Sequence, residues 1–172
     1  MPIYALGDRV PAIDPAAYVH PEATIIGDVT VGSGSSVWPG TVLRGDYGRI
    51  EVGSDTSVQD GAVIHATAEL ATVIGSRVVI GHLAHLEGCV VDDHALIGVG
   101  ASVLHRALVG EGATVGAGAV VTNGQVVPPR ALAVGVPAAI KPDRSDPDLI
   151  DLAAQVYVEN SHRYATELRR LD

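Results

Sequence analysis

Phenylalanine is missing from this 172-residue chain, and tryptophan and cysteine occur once each. Without large aromatics the interior has to be narrow, filled by Val, Ile, Leu and Ala, and a lone Cys89 excludes an intrachain disulfide framework. Basic residues are scarce as well: 11 Lys and Arg stand against 20 Asp and Glu, for a net charge of -9. Such a surface repels phosphate-rich partners and anionic membranes, so no nucleic-acid and no membrane partner is expected. The opening MPIYALGDRV lacks the basic segment and apolar stretch of a secretory signal. No apolar run approaches the roughly 20 residues of a membrane span. A cytoplasmic protein of one domain is the expectation.

What the chain does have is a period. From Val91 to Leu132 one six-residue pattern recurs seven times: VDDHAL, IGVGAS, VLHRAL, VGEGAT, VGAGAV, VTNGQV, VPPRAL. Each hexad opens on a branched aliphatic residue and usually has a small residue fifth. A short fixed period means units that bury a shared core by stacking, and hexads fit one flat face each of a parallel β-helix. Alternation along a strand sends the first and fifth residues inward and the second outward. With the trailing Gly135-Val136-Pro137-Ala138, the pattern resembles the hexapeptide-repeat family. That resemblance implies an all-β fold, a left-handed parallel β-helix with three faces to a coil, assembled as a homotrimer.

Reading back, hexads begin at Ile13, Val19, Ile25, Val31, Val37 and Leu43, and residues 1–12, with Pro2 and Pro11, are expected to cap the first coil. The phase then slips three times. Three extra residues fall in the segment 44–49, four more follow His65, and one is lost before Val91. Slips are where a β-helix extrudes loops or re-aims side chains near functional sites. If each irregular segment replaces one hexad, the hexads at Leu43, Ile64 and Leu86 share a face. Arg44, His65 and Glu87, each second in its hexad, then stack about 4.8 Å apart. Asp60 and His82, each third, stack on a neighbouring face, with Gln59 beside Asp60.

The solenoid should run through residue 140, with 141–172 forming a linker and a C-terminal helix of the same domain. Asp146 is placed to cap that helix, with Pro147 in its first turn. Leu149, Leu152, Ala153, Val156, Tyr157, Tyr164, Leu168 and Leu171 mark the apolar stripe expected to lie along the prism.

The segments Leu43-Arg44-Gly45-Asp46, Gln59-Asp60-Gly61 with His65, and Ile80-Gly81-His82 followed by Glu87-Gly88-Cys89 resemble the γ-class carbonic anhydrase branch of that family. The resemblance implies that Arg44 and Asp46 form ion pairs at subunit interfaces. It also implies that Gln59 and Asp60 orient water and substrate, and that histidines hold a divalent metal between subunits. This chain departs from the pattern where the last histidine ligand belongs, because Glu87 precedes Gly88-Cys89. His85 lies nearby as a substitute, although two residues along a strand its stagger to His82 differs. Zinc accepts two histidines and a glutamate as readily as three histidines, leaving a fourth position for water. A carboxylate reduces the site's charge, so bound water should lose its proton less readily. The expectation is zinc or iron on His65, Glu87 and a neighbouring copy's His82, with weak or no hydration of CO2 to bicarbonate. Tyr164 is a further candidate to reach the site from the helix.

Each residue also has a plainer role. His20, His94, His105 and His162 read as solvated surface residues, and Tyr164 as a packing residue. Glu87 can pair with Arg44, and Cys89 reads as an inert core thiol. Rival functions on the same fold are acyl or acetyl transfer from coenzyme A, thioester hydrolysis, or a trimeric binder of a small molecule or ferric siderophore.

Overall fold

The computed structural model describes residues 2–172. Paired two- and three-residue strands recur at every hexad and wind into a parallel β-solenoid with three faces. One face is an 8-stranded sheet, and the other two form a 12-stranded sheet joined through the long strands Thr24–Val31 and Val42–Val52, which turn a corner. The first face stacks Val42–Arg44, Val63–His65, His85–Glu87, Ser102–Val103 and Val120–Val121. On the second lie Ile50–Val52, Thr72–Ile74, Val90–Val91, Leu108–Val109 and Val126–Val127. The third runs from Tyr18–Val19 to Leu132–Val134, where Ala139–Lys141 pairs antiparallel and ends the stack.

The hexad rule accounts for the interior. First positions such as Val58, Ile80, Ile97, Val103, Val109 and Val115 are buried, as are the fifth-position alanines Ala62, Ala84, Ala95, Ala101 and Ala113. Each fully buried Val, Ile or Leu contributes on the order of 1.5–3 kcal/mol. Branched side chains also suit the pleated wall, because their stiff χ1 costs little there.

The slips fall where the period breaks, and pairing on either side stays in register. Leu43 pairs with Ile64 and Ile64 with Leu86. Between Gly27↔Gly45 and Val29↔Ile50 one strand spends five residues where its neighbour spends two, a surplus of three that bulges out over 46–49. The opening segment does more than cap. Ile3–Tyr4 and Ala12–Ile13 pair parallel with Thr24–Val31 and extend two faces by one level, while Leu6 and Val10 stay exposed. Met1, the first residue of the expected cap, lies outside the described residues.

The helix spans Pro147–Glu167, and the Asp146 side chain accepts a hydrogen bond from the Leu149 N–H at 3.2 Å. It lies on the third face by only part of the expected stripe, Tyr157 and Tyr164. Ile150, Ala154 and Ser161 are the buried positions, whereas Leu149, Leu152, Val156, Leu168 and Leu171 are exposed. Tyr157 and Tyr164 close on Trp38 edge-on, with ring centroids 5.6 and 5.0 Å away. The Trp38 indole N–H is shared by the Ser36 and Ser57 hydroxyls. An aromatic clamp therefore selects the helix face, and the aliphatic stripe is left outside. No helix among the described residues is long and apolar enough to cross a membrane.

Candidate metal centre

Register places the first row of site residues. Arg44 pairs directly with His65 and His65 with Glu87 on three successive levels of the first face. All three are second in their hexads, so their side chains leave the wall on the same side. His65 is nearly buried, and each ring nitrogen faces a carboxylate: Nδ1 donates to Glu87 Oε1 at 2.7 Å, and Nε2 lies 2.9 Å from Asp46 Oδ1. Asp46 comes from the bulge, and its other oxygen accepts from Arg44. Within one chain, then, Arg44 is tied to Asp46, and Glu87 has His65 as its partner.

Buried threonine holds this row in place from behind. Thr72 Oγ1 accepts from the Gly88 N–H at 2.7 Å and donates to the His65 carbonyl, stitching the loop after His65 to the next level. Asp60 and His82 occupy the adjoining corner, with His82 Nδ1 3.0 Å from Asp60 Oδ2 and both about half exposed. Gln59 is buried at the same level, its carbonyl accepting from Thr41 Oγ1.

Two further imidazoles face the second oxygen of Glu87. His85 Nε2 and His105 Nε2 each stand 3.6 Å from Oε2. His105 read as a solvated residue in the sequence, but its Nε2 is buried and has no hydrogen-bond partner. Corner residues escape the inward–outward rule, so the hexad gave no signal for it. His94 is likewise engaged, with Nδ1 2.6 Å from Asp151 on the helix, and Arg77 Nε donates to the same oxygen at 3.2 Å. Tyr164 lies against Trp38 and Tyr18 on the third face, as a packing residue does.

Charge follows contact. Burial would raise the Glu87 carboxyl, but the His65 hydrogen bond and the charges of His65, His105 and His85 hold it below its ordinary value. Burial acts the same way on Asp46 and is outweighed by hydrogen bonds from His65 and Arg44 and by the Arg44 charge. Burial pushes the Cys89 thiol up to about 12, as befits an inert core residue. On the helix, burial and then the charge of Asp60 raise the Tyr157 hydroxyl, which makes Tyr157 the helix residue neighbouring the corner dyad.

The donor chemistry fits a divalent ion of the zinc or iron type. A carboxylate on one ring nitrogen fixes the tautomer of a ligating histidine and leaves the other nitrogen for the ion. His65, with Asp46 on Nε2 and Nδ1 beside Glu87, and His82 with Asp60 both have that form. The orphaned nitrogen of His105 is a third donor without a partner. As the side chains stand, no three His, Cys, Asp or Glu groups among the described residues close on one point.

A solenoid of hexads bearing paired imidazoles and carboxylates on its wall defines the hexapeptide-repeat class. No family model matches the chain, but individual relatives do. It is 42% identical over 149 residues to Carnitine operon protein CaiE of Citrobacter koseri, covering 87% of this chain and 76% of that one. Over 103 residues it is 48% identical to the mitochondrial Gamma carbonic anhydrase 1 of Arabidopsis thaliana. That match covers 56% of this chain and spans only 38% of the relative's length. Among solved structures, a hexapeptide transferase family protein from Anaplasma phagocytophilum superimposes with a TM-score of 0.90 at 36% identity, covering 95% of this chain and 98% of that one. The chain belongs to the γ-class carbonic anhydrase-like branch of the hexapeptide-repeat, left-handed β-helix family.

Proposed function

We propose that this protein is a metalloenzyme of the γ-carbonic anhydrase type, interconverting CO2 and bicarbonate at the seams of a homotrimer. His65 and Glu87 of one copy and His82 of the next would hold zinc or iron. The observation that carries this reading is the registered row Arg44–His65–Glu87 beside the Asp60–His82 corner. Donors on two faces of one prism meet when a second prism is laid alongside. The Arabidopsis relative's name supports the same reaction.

When bound, the ion supplies Lewis acidity, lowering the pKa of a water and polarising a substrate oxygen. This chain's residues do the rest. Asp46 and Asp60 hold the rings of His65 and His82 in place. Gln59 offers an amide to orient substrate, and Asp60, half exposed, passes a proton toward solvent. A carboxylate in the donor set makes the centre less positive, so hydration should be slow at neutral pH. The bulge after Asp46 also carries no second carboxylate before Glu51 to shuttle protons.

Stopped-flow CO2 hydration by zinc- and iron-loaded protein tests the reading. Activity above the buffer rate that falls at least about 100-fold in His65→Ala is expected, the scale of loss for removing a group that acts on the transition state. A fully loaded protein with no hydration at any pH from 6 to 9 would reject it. The superposition on a hexapeptide transferase family protein favours acyl transfer as the rival. Turnover of a coenzyme A thioester in the same preparation would decide for that reading, although the net charge of -9 is a poor match to a phosphate-rich coenzyme.

A further inference from the structure

We propose that Thr72 is a positioning residue for the seam site: its hydroxyl sets the offset between His65 and Glu87, which lie one level apart. The inference rests on the reading of those two residues as ligands. Thr72 points inward at the start of its second-face strand and is fully buried. Its register partner on the level before is Ile50, and the pairing of Val73 with Val90 puts Cys89 opposite it on the level after. The hydroxyl thus stands between a hydrocarbon and a thiol, both buried. Valine has the same shape and would need no partner there, whereas a buried hydroxyl does. This one is used twice over: it accepts the Gly88 N–H at 2.7 Å and donates to the His65 carbonyl. Because Gly88 directly follows Glu87, a single side-chain atom ties the backbones of both proposed ligands.

The tie falls where the ladder is interrupted. Pairing between these two levels stops at His65↔Glu87 and resumes where the Val73 N–H donates to the Cys89 carbonyl at 3.0 Å. Between the two points one strand runs through the surplus residues that follow His65, a loop closed on itself by Thr67 and Leu70. The Thr72 hydroxyl bridges that gap, so the loop's length does not loosen the row in front of it. A misplacement of about 1 Å in groups that must act together can cost on the order of 100-fold in rate. Thr56 makes the same kind of clasp at another corner, donating to the Gly75 carbonyl at 2.8 Å and accepting the Val78 N–H at 3.1 Å. It ties no proposed ligand, and so serves as the control.

Metal-stripped full-length protein is titrated with Co2+ in the parent and in Thr72→Val, Thr72→Ser and Thr56→Val. In metal-free samples the ring nitrogens of His65, set between Asp46 and Glu87, are followed by nitrogen NMR. Thr72→Val should weaken cobalt binding by about tenfold or more and shift the His65 ring signals. Thr72→Ser, which keeps the hydroxyl, should restore both, and Thr56→Val should leave both as in the parent although it lowers the melting temperature. Parent-like binding and ring signals in Thr72→Val overturn the assignment. So does an equal loss in Thr72→Ser or in Thr56→Val, which would trace the effect to packing or to general stability. A parent protein that binds no cobalt sinks the seam reading instead, and the metal-free ring signals then decide alone for or against Thr72. Circular dichroism melts check folding, and Thr72→Cys, close in shape and a weak hydrogen-bonding group, carries the test if Thr72→Val does not fold.

Discussion

At the scale of single residues, Gly88 decides how closely His105 comes to Glu87. It has a left-handed φ of 61°, and an added Cβ would press on His105 and on the Leu70 side chain. Gly88→Ala should cost about 1–2 kcal/mol from backbone conformation alone, and more from the crowded ring. A thermal melt beside the parent protein measures it. The row Arg44–His65–Glu87 was legible in the sequence because strand pairing fixes register and the surplus residues leave it as loops. The contacts of His94 and His105 were not legible. Both lie at corners, where side-chain direction follows a tight turn and not the six-residue period, and His94 itself has a left-handed φ of 57°.

At the scale of elements, the terminal helix shows what hydrophobic spacing alone cannot choose. Two apolar stripes run along it, and the one closed by Tyr157 and Tyr164 wins because Trp38 waits on the third face. That partner is more than a hundred residues away in sequence and invisible to any local window. Ile150→Ala should therefore cost about 2–5 kcal/mol, whereas Leu149→Ala should stay within about 0.5 kcal/mol. Equal effects in denaturant titration would contradict the observed docking.

The helix is also pinned by charge at Asp151. The His94 hydrogen bond, set against burial and helped by Arg77, holds this carboxyl below its ordinary 3.8. A depressed carboxyl stabilises the fold fully above its unfolded value and loses that contribution as pH falls through the lower folded one. Helix docking, followed by Trp38 fluorescence, should loosen below about pH 3.8. In Asp151→Asn the acid step should be absent and the docking weaker already at neutral pH.

At the scale of the whole molecule, the proposed seam makes assembly a condition of function. Sedimentation equilibrium should return about 53 kDa, three times the 17.7 kDa chain. A species of one chain's mass at micromolar concentration would leave His82 without the neighbour that its role requires.

The regular half of the prism has a consequence for how such a chain can change length. Leu96 pairs with Thr114 and Thr114 with Leu132, eighteen residues per level. Duplicating 96–113 should thus insert one more storey with every strand pairing kept, at the cost of parting the helix from either His94 below or Thr114 above. Removing a single residue there turns the following strand inside out, exposing its valines and burying its polar positions. Growth of this molecule is quantised, and the irregular levels around the histidines are the ones that such editing cannot copy.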